Sequence, residues 1–292
     1  MEKLTYKRIE KILEKYVEED SPISKDNIKE IEKKIGKHIV QKAVLGIDIY
    51  RYSKYPSLPQ TLIPHLFRYL YDATVTNCIE HEPYFFKNIT KKSLNDRFID
   101  TGDGGFQIFD NPFHAIIFAI YFQGNIMRYN SNHFNLLGLF DIIDEITLRY
   151  ALTFDNTYSY EKNFFGSSII NCARIMSKDK LNRFLIDDNT KKWFTKELNG
   201  IENLHCIELE KDYKHIPFFD DNDEEEDFDS LIFTEEGSNI LRVDLMKIGE
   251  IESKLDIISI HNLVLQIMMF SEGRKFDKYT ICLGNINSNG LV

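Results

Sequence analysis

Asp48 lies inside an apolar run, Ala43-Val44-Leu45-Gly46-Ile47-Asp48-Ile49-Tyr50. A carboxylate in such a strand is costly to bury unless it is paired or bound to a cation. A second carboxylate, Asp103, lies in Arg97–Phe109, which reads RFIDTGDGGFQIF. Two β-prone arms, Phe98-Ile99 and Phe106-Gln107-Ile108-Phe109, flank Gly102-Asp103-Gly104-Gly105. Glycine supplies the positive φ of a tight turn, so this stretch predicts a hairpin with Asp103 at its tip. Taken alone, it reads equally well as a surface turn whose aspartate bonds its own backbone. Two strands that each offer one aspartate can hold a pair of hard divalent cations through oxygen ligands. Paired metals suit in-line displacement at phosphorus.

Periodicity sets the elements that must position these residues. Residues 4–19 predict a helix, and Ser24 caps a second one that runs through Ile39. Val44–Tyr50 reads as a buried strand. Leu58–His81 predicts a long helix with Leu62, Leu66, Tyr69, Leu70 and Ala73 on one face. Pro112 starts a further helix over His114–Arg128. Ile146–Phe154 and Tyr158–Phe165 read as strands, and Gly166 leads into a helix over Ile169–Met176. Strands over Arg183–Ile186 and Leu204–Leu209 flank a helix over Asn189–Leu198. The order predicts an α+β (α/β) sheet with helices on one face. Asp220–Asp229, DDNDEEEDFD, reads as a solvated loop of like charge. The tail from Leu231 alternates around Ile232, Leu241, Val243 and Leu245, then turns apolar at Leu263–Phe270. It is expected to complete the sheet or to pack at a subunit contact.

Of the 292 residues 43% are hydrophobic, including 22 Phe and 15 Tyr, enough for a sizeable core. The net charge of −10 argues against non-specific nucleic-acid binding. It is compatible with a nucleotide substrate, because bound metal ions supply local positive charge. Cys78, Cys172, Cys206 and Cys282 are far apart with no C-x-x-C pair, which suggests no zinc site and a reduced setting. No apolar run is long enough for a bilayer span, and MEKLTYKRIEKILEKY is charged and periodic, unlike a signal peptide. A cytoplasmic protein is expected. There is no H-E-x-x-H, Walker loop or G-x-S-x-G.

The two aspartates resemble the metal-binding core of class III nucleotide cyclases. In that family one aspartate follows the first core strand in an Asp-Ile-x-x-aromatic-Ser/Thr pattern, here Asp48-Ile49-Tyr50-Arg51-Tyr52-Ser53. The other sits in a Gly-Asp hairpin, here Gly102-Asp103. A third block, Gly166-Ser167-Ser168-Ile169-Ile170-Asn171-Cys172-Ala173-Arg174, resembles the helix that carries transition-state residues. The phrases GIDIYRYSKYP, DTGDGGFQIF, LRYALTFD and IINCARIMSKDKLNR are most similar to the Pycsar-type pyrimidine (uridylate or cytidylate) cyclases of antiphage systems.

The resemblance implies a ferredoxin-type sheet and a catalytic domain over residues 41–215. An N-terminal helical region (1–40) precedes it, and an acidic loop (216–230) and a C-terminal extension (231–292) follow. It implies that Asp48 and Asp103 bridge two divalent ions, Mn²⁺ or Mg²⁺, one also bound by the carbonyl of Ile49. Tyr50, Arg51, Tyr52 and Ser53 would cradle the triphosphate, and Arg174 would stabilise the transferring phosphate. The substrate would be UTP or CTP, the active unit a homodimer with shared sites, and the product the signal for a separate effector protein. Neither nucleic acid nor membrane is an expected partner.

Some positions depart from the family pattern. Aligning Gly166 and Arg174 places Ile170 at the ribose-orienting asparagine position, with Asn171 beside it on the face of Arg174. Ile99 stands where purine cyclases carry Lys or Glu, and Asn163 takes the second base-selecting position. Ile99 offers no long polar side chain for a purine edge, and Tyr50 could narrow the pocket for a smaller base. UTP is favoured over CTP. The alternative is a catalytically silent homologue that only binds nucleotide or a partner.

Overall fold

A computed structural model describes residues 4–16, 23–132, 134, 136–204, 233–234, 237–238, 240–252, 257–271, 274–287 and 289–291. Thr5 caps α1 (Tyr6–Leu13), its side chain accepting from the Arg8 amide, and Ser24 caps α2 (Lys25–Gly36) through the Asn27 amide. Both helices are shorter than periodicity predicts, and residues 17–19 lie outside the described set. Leu4 is buried and bridges Tyr160 instead of starting a helix.

The central strand β1 (Val40–Ile49) leads through a 3₁₀ turn into α3 (Ser57–His81). Two short helices, α4 (Pro83–Phe86) and α5 (Lys91–Asn95), precede the hairpin of β2 (Phe98–Asp100) and β3 (Gly104–Phe109). Asn111 caps α6 (Pro112–Asn130), with Pro112 in the first turn where its missing N–H costs nothing. After α7 (Leu137–Ile143) comes β4 (Leu148–Tyr160), one long strand where the sequence predicts two shorter pieces. Glu161 and Lys162 turn the chain into β5 (Asn163–Phe165), followed by α8 (Ser167–Lys178), β6 (Phe184–Asp187) and α9 (Asp188–Leu204). Leu204 closes α9. The remainder of the predicted Leu204–Leu209 strand and the acidic block lie outside the described residues. A small pair, β7 (Phe233–Thr234) and β8 (Gly237–Ser238), precedes β9 (Ile240–Glu252), β10 (Ile257–Ser271) and β11 (Arg274–Leu283).

The strands other than β7 and β8 form one mixed, nine-stranded sheet. From one edge it runs β2, β3, β1, β4, antiparallel throughout, then β6 parallel to β4. The long β10 pairs on one side with β6 and then with β11, end to end, and on the other side with β9. The parallel β4–β6 pair requires a crossover, and α8 supplies it.

Alternate residues of β1 divide the core. Ala43, Leu45, Ile47 and Ile49 pack with α3 and α6, whereas Val44 packs with Cys172 and Ile175 of α8. Helices therefore cover both faces of the sheet, where the sequence predicts one. α8 must cross on the face that α3 and α6 leave open. The buried stripe of α3 is Ile63, Leu66, Phe67, Leu70, Tyr71, Thr74, Val75 and Cys78. It is rotated from the predicted face, and Tyr69 is exposed.

Candidate active site

Asp48 stands in β1 between Gly104 on β3 and Arg149 on β4. The hairpin reaches it through glycine chemistry. Gly102 takes a φ of 97°, a conformation that L side chains rarely adopt, and its amide donates to Asp100 Oδ1 at 2.7 Å. Gly104 lies so close to β1 that a Cβ there would stand 2.1 Å from the Ile47 carbonyl oxygen. Behind the tip, fully buried Gln107 accepts from the Tyr71 hydroxyl and donates to Leu94 O at 3.2 Å, tying β3 to α3 and α5. The result is that Ile49 N donates to Asp103 O at 3.1 Å, which sets Asp103 beside Asp48, close enough for the two carboxyl groups to act on each other electrostatically.

Three effects act on Asp48. Burial is the largest and raises its pKa, Arg149 pulls it down, and Asp103 pushes it up again, leaving it near 6. The two carboxyl groups thus share a site that a single arginine does not neutralise. Sequence periodicity passed over Arg149, although its signal was the one that marked Asp48: a lone charge in an apolar run, LRYALTF.

Arg149 is tightly held. Its Nε donates to Asp48 Oδ2, and its Nη1 donates to Met176 O at 3.1 Å and Asp179 O at 2.9 Å. Both carbonyls belong to the C-terminal end of α8, where the helix dipole favours a cation. Asp179 accepts in turn from the wholly buried Arg183. Arg183 also donates to the carbonyls of Asn287 (3.2 Å), Asn289 (2.7 Å) and Gly290 (3.3 Å), which binds the C-terminal segment beneath the site.

The donor set fits a hard divalent cation. It offers two adjoining carboxylates, and cations of this kind often take one or two carboxylates and complete their shell with water and substrate phosphate. Among the described residues no group of three or more His, Cys, Asp or Glu side chains is placed to hold a metal ion, so the pair would need water or substrate oxygens to complete a shell.

The remaining candidates fall into two groups. Ile49 is buried in the core and follows Asp48 directly. Arg51 turns the chain with a φ of 61°, its guanidinium 4.8 Å from the Tyr50 ring centroid. Tyr52 and Ser53 form the 3₁₀ turn, and the Tyr52 hydroxyl donates to Gln60 O at 2.9 Å, which ties the turn to α3. Ile99 pairs with Phe106, which pairs with Gly46, so Ile99 shares the sheet face of Asp48. These residues gather at one end of β1. α8 runs towards that end: Ser168 bonds Thr153, Cys172 Sγ approaches Ala151 O at 3.4 Å, and Met176 O meets Arg149. Arg174 is half-buried on its flank, Asn171 is buried, and Ile170 is 51% exposed. Asn163 is exposed and pairs with Tyr160, whereas Asp48 pairs with Arg149. Eleven residues of β4 separate those ranks, on the order of 35 Å at the usual strand rise. One chain does not bring Asn163 to the aspartates.

No family model matches the chain, and no curated protein does. Among solved structures it is similar to the guanylate cyclase domain of RhGC from Catenaria anguillulae in complex with GTP, at 13% identity and a TM-score of 0.42, over 77% of this chain and 96% of that one. It is also similar to the adenylyl cyclase CyaB from P. aeruginosa, at 10% identity and a TM-score of 0.40, over 81% and 96%. An adenylate/guanylate cyclase/hydrolase from Silicibacter pomeroyi matches at 11% identity and a TM-score of 0.37, over 77% and 96%. What those proteins act on is a property of theirs. This chain has a mixed α/β fold with a central sheet flanked by helices.

Proposed function

We propose that the chain is a metal-dependent nucleotide cyclase that converts a pyrimidine nucleoside triphosphate, UTP in preference to CTP, into the 3′,5′-cyclic monophosphate and pyrophosphate. The observation that carries this reading is the placement of Asp103 beside Asp48, with Asp48 paired to Gly104 and Ile49 N donating to Asp103 O at 3.1 Å. In the reaction the ribose 3′-oxygen bonds to the α-phosphorus, the bond to the bridging oxygen breaks, and the hydroxyl proton passes to solvent. Bound Mn²⁺ or Mg²⁺ would acidify the 3′-hydroxyl and offset the phosphate charge.

The chain's own residues supply the rest. Asp48, Asp103 and the Ile49 carbonyl would hold the cations, and the turn over Tyr50–Ser53 would orient the phosphates. Arg174 offers a charged fork to the transferring phosphate, a group whose charge spreads over several oxygens. Arg174, not Asn171, carries this assignment, because Asn171 is buried. Ile99 gives a purine edge no polar partner, and the Asn163 amide can read a pyrimidine as donor and acceptor. The distance between Asn163 and the aspartates along β4 exceeds the span of a nucleotide, which supports a site shared by two copies. In this reading the cyclic product activates a separate effector protein in phage defence.

Incubation with each of the four ribonucleoside triphosphates and Mn²⁺, followed by mass spectrometry, tests the reading. Cyclic UMP is expected to dominate, with no cyclic product after Asp103→Ala. Absence of any cyclic product from the wild type removes the reading, and dominant cyclic CMP reverses the base preference. A second reading, nucleotide binding without turnover, draws on the exposed Ile170 at the position of the family's asparagine. It predicts nucleotide affinity that survives Arg174→Ala.

A further inference from the structure

Arg149 donates to Asp48, one of the two carboxylates assigned above to the metal site. The two residues face each other on neighbouring strands, and the side chains are only 28% and 17% exposed. Water therefore screens their charges less than it would on an open surface. A divalent ion on the same carboxylate would meet the guanidinium at close range. The guanidinium does not depend on Asp48 alone, because Nη1 is bonded to Met176 O and Asp179 O. Those carbonyls stand at the partially negative end of α8. Asp179 cannot drift easily, since Arg183, with no exposed side-chain surface, clamps its carboxylate.

We propose that Arg149 is a built-in competitor for the divalent ion: it holds Asp48 until the ion takes the carboxylate, and the end of α8 keeps the released guanidinium beside the site. The inference rests on the metal-site reading above and concerns how that site is regulated. Its consequence is an aspartate pair that stays partly compensated when no ion is bound and yields only to a cation of higher charge. The competition is electrostatic, so it depends on the charge at position 149 more than on the side chain's shape.

The test uses the full chain without nucleotide and Mn²⁺ alone as the probe, with binding followed by calorimetry and by the electron paramagnetic resonance of free Mn²⁺. Arg149→Met is expected to bind Mn²⁺ at least about tenfold more tightly than the wild type, the scale set by one unit charge a few ångströms away. Arg149→Lys, which keeps the charge, should stay near the wild-type affinity. Arg149→Gln repeats the measurement if the Met variant fails to fold, as judged by circular dichroism. An affinity in the folded neutral variant that is unchanged or weaker overturns the proposal, as does equal tightening in Arg149→Lys. Wild-type binding that Asp48→Asn abolishes keeps the metal-site reading even if the proposal falls. No Mn²⁺ binding by the wild type or the neutral variants removes both.

Discussion

Among the described residues, half-buried Asp48 and buried Asp187 both have pKa values raised to about 6, and their neighbours separate their roles. Asp48 meets another carboxylate and an arginine. Asp187 is 2% exposed and accepts from the Thr190 amide at 2.8 Å, which makes it the cap of α9. Its shift comes chiefly from burial, opposed by hydrogen bonds to Thr190 and Phe154. The folded value lies above the ordinary 3.8, so the native state holds its proton longer than the unfolded chain does. Stability from this group is full below about pH 3.8 and is lost as pH rises to about 6, a change of about 3 kcal/mol. Asp187→Asn keeps a capping oxygen without the charge. Thermal melts should show it more stable than the wild type at pH 8, with the gap closing towards pH 4. A gap that stays constant with pH contradicts the account.

At the scale of elements, glycines decide how closely the site's supports approach. A Cβ on Gly46 would stand 2.3 Å from Met176 Sδ and 2.9 Å from Cys172 Sγ, so β1 and α8 pack through the missing side chain. Met176 is flexible and can give way, and Gly46→Ala should cost about 1–3 kcal/mol in urea unfolding. Gly104 is different, because its neighbour is the Ile47 backbone oxygen, which cannot rotate aside. Gly104→Ala should be the more destabilising of the two. It should also separate Asp103 from Asp48, so that Mn²⁺ binding weakens in whatever protein remains folded. Equal costs at the two positions, with Mn²⁺ affinity intact, would show that the hairpin has slack that the packing denies it.

The whole molecule places its candidate groups at two ends of one sheet. The aspartates, the Tyr50–Ser53 turn and Ile99 occupy one end, and Asn163 occupies the tip of the β4–β5 hairpin. A two-fold pairing of identical chains would create two equivalent sites, each taking Asp48 and Asp103 from one copy and Arg174 and Asn163 from the other. Mixing tests this directly. Asp48→Ala and Arg174→Ala should each be inactive alone. In a randomly exchanged mixture half the dimers are mixed, each with one intact site of two, so activity should recover to about a quarter of wild type. A mixture that stays inactive, although native mass spectrometry shows exchange, rules out sharing.

Local chemistry was legible in the chain itself. The charge in an apolar strand marked Asp48, and the Asp-Gly turn marked the hairpin of Asp103, because turn geometry and side-chain alternation depend on residues only a few positions apart. Ser24 and Pro112 announced helix starts for the same reason. What local pattern could not reach was the partner of each element. Arg149 lies 101 residues from Asp48, and only the β1–β4 register sets them opposite each other. The burial of Asn171 beside an exposed Ile170 depends on which face α8 presents to the sheet, and the crossover between β4 and β6 decides that face. The placement of Arg183 over the C-terminal carbonyls joins residues more than 100 positions apart. Strand register and packing are long-range choices, made by the burial of whole faces, and a single strand or helix carries no record of them.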